Sequence, residues 1–420
     1  MNKRFKVVTL GCRTNQYESQ GYQDQLIQLG YSQAKESESA EICIVNTCTV
    51  TESADSSSRH AIRQLARENP GAKIVVTGCF AERQPEKAGA IEGVSLVVSN
   101  KEKEQLVNKL FPEEEIPEFS IKHFEAHTRA FVKVQDGCNS FCTYCIIPYV
   151  RGRSRSRTVD DVVNEVQELI RNGYKEVVLT GINIGDFDGA PKEGEQPARL
   201  CDLVRHVDAV SGLKRLRISS IDPDEVDPDL TDAVVSGRHT CRSMHIVLQS
   251  GSNVILKRMN RKYTRQEFME TVDRLKSIDP DFTFTTDIIV GFPGETEEDF
   301  QETLDVMREI KFAKVHMFPY SDRPRTKSNL MPNKVPKDVI QKRKAALLEL
   351  AERQSYELRE QFIGRRMTVL TESNEREGWI MGHTDNFLPV LIESDALSPN
   401  ELIEVELIEN TPEGLIGNRC

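Results

Sequence analysis

Nothing in this sequence stays apolar for long. No run approaches the roughly 20 residues that cross a bilayer, and Met1-Asn-Lys-Arg leads into a short apolar segment with no signal-peptide h-region. Neither a membrane span nor a secretory leader is expected, and the expected location is cytoplasmic. Basic residues are also short: 55 Lys and Arg face 66 Asp and Glu, a formal net charge of -11. No global field therefore draws the chain to nucleic acid, and any RNA contact has to come from local patches. Nothing suggests disorder, since 38% apolar and 29% charged residues are ordinary for a globular protein. A length of 420 residues fits roughly two to four domains. Ten cysteines in a reducing compartment argue for metal or catalytic use over disulfides.

One further absence carries chemistry. Val134-Gln-Asp-Gly-Cys138-Asn-Ser-Phe-Cys142-Thr-Tyr144-Cys145 places three thiols within eight residues and offers no fourth nearby. A tetrahedral zinc site wants four ligands, whereas a [4Fe-4S] cube held by three thiolates keeps one iron open. The alternative is a zinc site completed by a distant His or Cys. An open iron can be chelated by the amino and carboxylate groups of S-adenosylmethionine, and an electron from the cluster then cleaves the sulfonium to methionine and a 5′-deoxyadenosyl radical. The Cys-x-x-x-Cys-x-x-Cys spacing, with aromatic Tyr144 before the last cysteine, resembles the signature of the radical S-adenosylmethionine enzymes.

The first hundred residues show three strand-like segments, Phe5 to Leu10, Ile42 to Val45 and Lys73 to Thr77, alternating with helix-like stretches. That alternation predicts a parallel α/β sheet. Cys12, Cys48 and Cys79 each follow one of these strands, so all three are expected at one carboxyl edge, where open α/β folds bind ligands. Three converging thiolates there would hold a second cube with a free iron; the alternative for each is a small buried residue. Charged residues with Pro112 and Pro117 mark a linker. The expected division is 1–115, a linker at 116–128, a core at 129–360 and a terminal unit at 361–420.

Six strand candidates follow: Ala130 to Val134, Glu176 to Thr180, Lys214 to Ser219, Met244 to Leu248, Phe282 to Val290 and Lys314 to Tyr320. They predict a partial (β/α)6 barrel with its chemistry at the carboxyl ends of the strands. Gly181, Asn183, Ser219, Gln249 and Gly291 fall there and, with Tyr144, are candidate contacts for a nucleoside and methionine. Arg151, Arg153, Arg155 and Arg157 alternate beside the cysteine loop and are candidate phosphate contacts. The alternative is a solvated loop paired with carboxylates such as Asp160 and Asp161. After a long charged helix, four short strands between Met367 and Ile408 predict a small β-barrel, a shape often used to hold RNA. From Arg366 to Cys420, however, three Arg and no Lys face eleven carboxylates, a charge that repels phosphate.

Leu10-Gly-Cys12-Arg-Thr-Asn-Gln-Tyr-Glu18, Asn46-Thr-Cys48, Gly78-Cys79, the cysteine loop, Ile147-Pro-Tyr-Val-Arg-Gly152, Leu248-Gln-Ser-Gly-Ser252, Met259-Asn-Arg-Lys-Tyr263 and Ile289-Val-Gly-Phe-Pro-Gly-Glu295 together resemble the methylthiotransferase family along the whole chain. The resemblance implies two [4Fe-4S] clusters, an auxiliary one on Cys12, Cys48 and Cys79 that supplies sulfur and a radical one on Cys138, Cys142 and Cys145. It also implies a C-terminal TRAM barrel of OB-like shape, two S-adenosylmethionine molecules per product, and an electron donor such as flavodoxin. Cys43, Cys201, Cys241 and Cys420 are left as structural or free thiols. Leu179 to Gly185, Arg217 to Pro223 and Thr285 to Gly294 look like the group acting on threonylcarbamoyladenosine of the tRNA anticodon loop. The family's other substrates, isopentenyladenosine of tRNA and an aspartate of a ribosomal protein, are the alternatives. One departure is Arg325, which stands where the family usually has Gly before Thr326. The sulfur source is not legible in the sequence.

Overall fold

The computed structural model describes residues 3–119, 121, 128–376, 378–393 and 396–420. Its first sheet is wholly parallel, in the order β2-β1-β3-β4-β5, with β1 (Arg4–Thr9), β2 (Ser32–Gln33), β3 (Ile42–Thr47), β4 (Lys73–Gly78) and β5 (Val94–Val97). Sequence patterning anticipated only β1, β3 and β4. The two additions are edge strands, and β2 is a two-residue exposed pair with no apolar signal. Central β3 is buried along its whole length, as its apolar run requires. Thr9 pairs with Asn46 and Asn46 with Thr77, so the carboxyl ends of β1, β3 and β4 finish level.

The core strands are β6 (Arg129–Lys133), β9 (Glu176–Thr180), β10 (Arg215–Ile218), β11 (Ser243–His245), β12 (Thr283–Val290) and β13 (Lys314–Pro319). A short antiparallel ribbon, β7 (Gln135–Asp136) with β8 (Arg155–Ser156), flanks the cysteine loop. The six strands form two parallel sheets, β10-β9-β6 and β11-β12-β13, joined by the bridges Leu216–Thr240 and Ile221–Ile246. This is the expected partial barrel. Its helices form as the pattern predicts: Thr158 accepts from the amide of Asp161, and Val162, Val166 and Leu169 of the Val159–Arg171 helix are buried.

The open side of the barrel is covered by the first domain. The Arg13–Gln28 helix packs against β6, and Tyr17 joins the apolar core of the barrel. The expected linker is partly built into this junction. Gln25 donates to the carbonyl of Pro117 at 2.7 Å, Phe119 contacts the rings of Tyr17 and Tyr22, and Ile121 is fully buried. The rest of that stretch, residue 120 and residues 122–127, lies outside the described residues.

The terminal unit is a closed barrel, β14-β15-β16-β18-β17, built from β14 (Arg366–Arg376), β15 (Trp379–Thr384), β16 (Pro389–Glu393), β17 (Leu402–Asn410) and β18 (Leu415–Arg419). Closure needs the unanticipated β18, which pairs parallel with β16 and antiparallel with β17. This barrel docks on the amino ends of the core strands. Arg215 donates to the carbonyls of His383 and Thr368 at 2.8 and 2.6 Å, and Arg217 to that of Thr384 at 2.8 Å. The cysteine loops lie at the opposite end.

Candidate active site

Each cysteine of the first set sits where a strand ends. Cys12 caps the Arg13–Gln28 helix, Cys48 follows β3, and Cys79 opens the Cys79–Arg83 helix after β4. Backbone closeness at this edge demands glycine: a Cβ on Gly11 would lie 2.9 Å from Cys48 Sγ, and one on Gly78 2.4 Å from the carbonyl of Thr47, both at positive φ. Asn15 ties the edge together, donating to the carbonyls of Leu10 and Thr47 at 2.6 and 3.2 Å. The three thiols are close enough to act on each other electrostatically. Burial, then the neighbouring Cys79 and Cys12, pushes Cys48 up to about 11.

The second set is held by hydrogen bonds from the loops around it. Gly137 passes so close to the carbonyl of Arg153 that a Cβ would lie 2.0 Å from it. Thr143 donates to the carbonyls of Met259 and Arg258, and Asn260 to those of Ser140 and Phe141. Arg261 points a guanidinium N–H at Cys142 Sγ, 3.0 Å away, while pairing with Asp222. The Met259–Tyr263 motif was visible in the sequence, but this role for Arg261 was not. Burial and the neighbouring Cys142 and Cys138 push Cys145 up to about 12.

The two sets meet. Cys79 packs in one apolar cluster with Ile146 and Val150, the residues just after Cys145. Between them lies a cavity of about 180 Å³ lined by Val50 and Thr51 from the Cys48 side, Tyr144 and Cys145 from the other, and Gln249, Asp287 and Tyr320 from the core strands. Among the described residues no group of three or more His, Cys, Asp or Glu side chains is set to hold a single ion. Ser219 Oγ and Gln249 Oε1 are buried without hydrogen-bond partners, which fits polar groups awaiting a cofactor.

The other expected cofactor contacts divide. Asn183 donates to Glu225 and faces Ser140, tying the cysteine loop to the loop after β10. Gly181 serves the close approach of Gln135, whose Oε1 accepts from the amides of Ile182 and Asn183 at 3.0 Å each. The open side of Gly291 faces Ile340 of the Lys337–Glu360 helix, so this glycine makes a turn on the outer wall. Tyr144 stands edge-on to Phe292 in an apolar cluster. Arg325 occupies its glycine-like position at φ +74°.

The arginine run needs a correction. Arg151 is 3% exposed and cannot reach an RNA phosphate from there. It bonds Glu18 at 3.0 Å and Asp136 at 2.9 Å, in a knot that Lys103 completes, because these two buried carboxylates draw it inward. Arg157 is half-buried and pairs with Glu165 at 2.6 Å. Only Arg153, stacked 4.5 Å over Phe141, and Arg155 remain exposed. A second knot joins the domains where Arg323 reaches Thr49 and Asp55, which also binds Arg83.

A partial parallel barrel that presents a three-cysteine loop at the carboxyl ends of its strands defines a radical S-adenosylmethionine enzyme, and residues 132–307 match the radical SAM superfamily. Residues 4–99 match the uncharacterized protein family UPF0004. A threonylcarbamoyladenosine tRNA methylthiotransferase MtaB of Chlamydia pneumoniae is 48% identical over 98% of this chain and 97% of its own length. The MtaB of Bacillus subtilis is 35% identical over 96% and 93%. A tRNA-2-methylthio-N(6)-dimethylallyladenosine synthase of Finegoldia magna is 34% identical over 98% and 94%. The chain belongs to this family of radical S-adenosylmethionine methylthiotransferases. Among solved structures, the radical S-adenosylmethionine methyltransferase TsrM of Kitasatospora setae shares the fold, with a TM-score of 0.55 at 16% identity over 79% of this chain and 77% of that one.

Proposed function

We propose that the protein converts N6-threonylcarbamoyladenosine at position 37 of tRNA, in the anticodon loop, to its 2-methylthio derivative. The observation that carries the reading is the cavity between the two cysteine sets, with Thr51 on one wall and Cys145 on the other. A ring carbon placed there is within reach of both chemistries at once. The substrate follows the relatives: the MtaB enzymes act on threonylcarbamoyladenosine, and one of them is 48% identical, against 34% for a dimethylallyladenosine enzyme.

In this reading Cys138, Cys142 and Cys145 hold the radical [4Fe-4S] cluster, and Cys12, Cys48 and Cys79 the auxiliary one. Bound there, the clusters and S-adenosylmethionine supply a 5′-deoxyadenosyl radical strong enough for an inert aromatic C–H bond, and the sulfur and methyl that replace the hydrogen. The residues of the chain do the positioning. Arg261 presents positive charge to Cys142, and Gln135 fixes the turn at Ile182 and Asn183 beneath the radical loop. Ser219 and Gln249 offer free polar atoms to S-adenosylmethionine. Exposed Arg153 and Arg155 take the RNA backbone. An electron donor such as flavodoxin and a sulfur source complete the cycle, and a tRNA substrate sets it in the cytoplasm.

Nucleosides from cells lacking the protein test this by mass spectrometry. They should keep threonylcarbamoyladenosine and lose its 2-methylthio form. Normal levels of that product, with a ribosomal protein lacking methylthio-aspartate, would replace this reading with a protein substrate. Reconstituted protein should bind about eight irons, and a variant lacking Cys138, Cys142 and Cys145 about four.

A further inference from the structure

Among the described residues, one cation in the barrel has no direct ion pair. Arg13 immediately follows Cys12, and its guanidinium lies 5.7 Å over the ring of Phe131 on β6. It is half-buried, close enough to Asp287 of β12 and His316 of β13 to act on them, so it reaches across the open side of the barrel into the lumen. Among the described residues it makes no hydrogen bond or ion pair. The other arginines of the lumen are committed: Arg217 to Glu176 at 2.6 Å and Arg129 to Glu372 at 2.5 Å. Asp287 lies 3.3 Å from His245 Nε2. Asp287 and Glu176 act on it only at a distance, and a cation withdrawn from water without a direct ion pair is costly, so such a group fits a place where a ligand completes it.

We propose that Arg13 selects the substrate by binding the carboxylate of its N6-threonylcarbamoyl group. This rests on the substrate reading above. The N6 groups of the two tRNA substrates differ in charge: a dimethylallyl group is neutral and apolar, whereas threonylcarbamoyl ends in a carboxylate. The planar fork of arginine matches a carboxylate bidentately, with a geometry that lysine cannot reproduce. Arg13 follows Cys12 in the chain and lies within electrostatic reach of Asp287, which lines the cavity that receives the base, so one residue links the sulfur-delivering side of the site to recognition of the side chain.

The test compares an anticodon stem-loop carrying threonylcarbamoyladenosine with the same RNA carrying its methyl ester, using reconstituted holoenzyme. The wild-type protein should lose about 100-fold in kcat/KM on the ester, the scale expected when one partner of a desolvated charge pair is removed. Arg13→Gln should lose a similar factor on the acid and discriminate little between acid and ester. Arg13→Lys should restore part of the preference. Iron content and RNA-free cleavage of S-adenosylmethionine should stay at wild-type levels in both variants, which a structural role beside Cys12 would not allow. Equal handling of acid and ester by the wild-type protein overturns the proposal, and that arm decides alone if the variants fail to load iron. An unchanged preference in Arg13→Gln also overturns it. Methylthiolation of isopentenyladenosine RNA in place of the acid overturns the substrate reading and this one together.

Discussion

Arg151 Nη1 meets Glu18 Oε1 at 3.0 Å across a sequence separation of 133 residues, with both side chains sealed from water. The pair lies against Cys79 and joins the first sheet's domain to the radical core. Against the cost of burial, Arg151, Lys103 and Lys133 hold Glu18 down at about 2. Arg151→Met leaves Glu18 and Asp136 buried with fewer partners, a loss of about 3–5 kcal/mol. Urea unfolding checks it. An Arg151 that gripped RNA would instead leave the midpoint unchanged and lower tRNA affinity.

Glu225 has the opposite character. Burial, with Asp222 and Asp224 beside it, pushes its carboxyl up to about 8. The folded protein then holds a proton that the unfolded chain releases near pH 4.5, so stability falls as pH rises from there to about 8 and levels off above. Glu225→Gln should flatten that slope and exceed the wild type by a few kcal/mol at pH 8. Denaturation of cluster-free protein between pH 5 and 8.5 measures it. A wild-type curve that rises across the window would contradict the assignment.

The strands that carry the cysteines were legible because their apolar runs end at Cys12, Cys48 and Cys79, and parallel register does the rest. The edge strands β2 and β5 were not, since short edges take their stability from neighbours rather than from pattern, and β18 was not because it is fixed by its two partners β16 and β17. The arginine run shows the same limit. Its charge suggested one surface, yet Arg151 turns inward because Glu18 and Asp136, distant in sequence, arrive at the same place. Arg13 was hidden for a related reason: its place over Phe131 and near Asp287 depends on elements distant in sequence.

Arg325 is the residue where the family's glycine would stand, and its φ of +74° belongs to the left-handed region. An L side chain is strained there, by roughly 1–2 kcal/mol, while glycine gives back part of that gain as chain entropy. Arg325→Gly should therefore raise stability by up to about 1 kcal/mol. Its exposed side chain makes the change clean. A fall in the thermal midpoint would mean that the side chain supports the loop.

Arg153 and Arg155 are the members of the run that stay exposed, and the proposed RNA contact rests on them. Arg153 lies over Phe141, within the radical loop itself, and Arg155 anchors on the carbonyls of Arg151 and Arg153 with about half of its side chain exposed. Both flank the radical loop, at the end of the core opposite the acidic terminal barrel. Each phosphate neutralised releases counterions, so replacing both with Ala should reduce the slope of log K against log salt by about 1 to 2 in magnitude, and weaken binding most at low salt. Filter binding of tRNA from 50 to 200 mM salt is the measurement. An unchanged slope would assign both arginines to the loop's own framework, and the RNA path would have to be sought elsewhere on the surface.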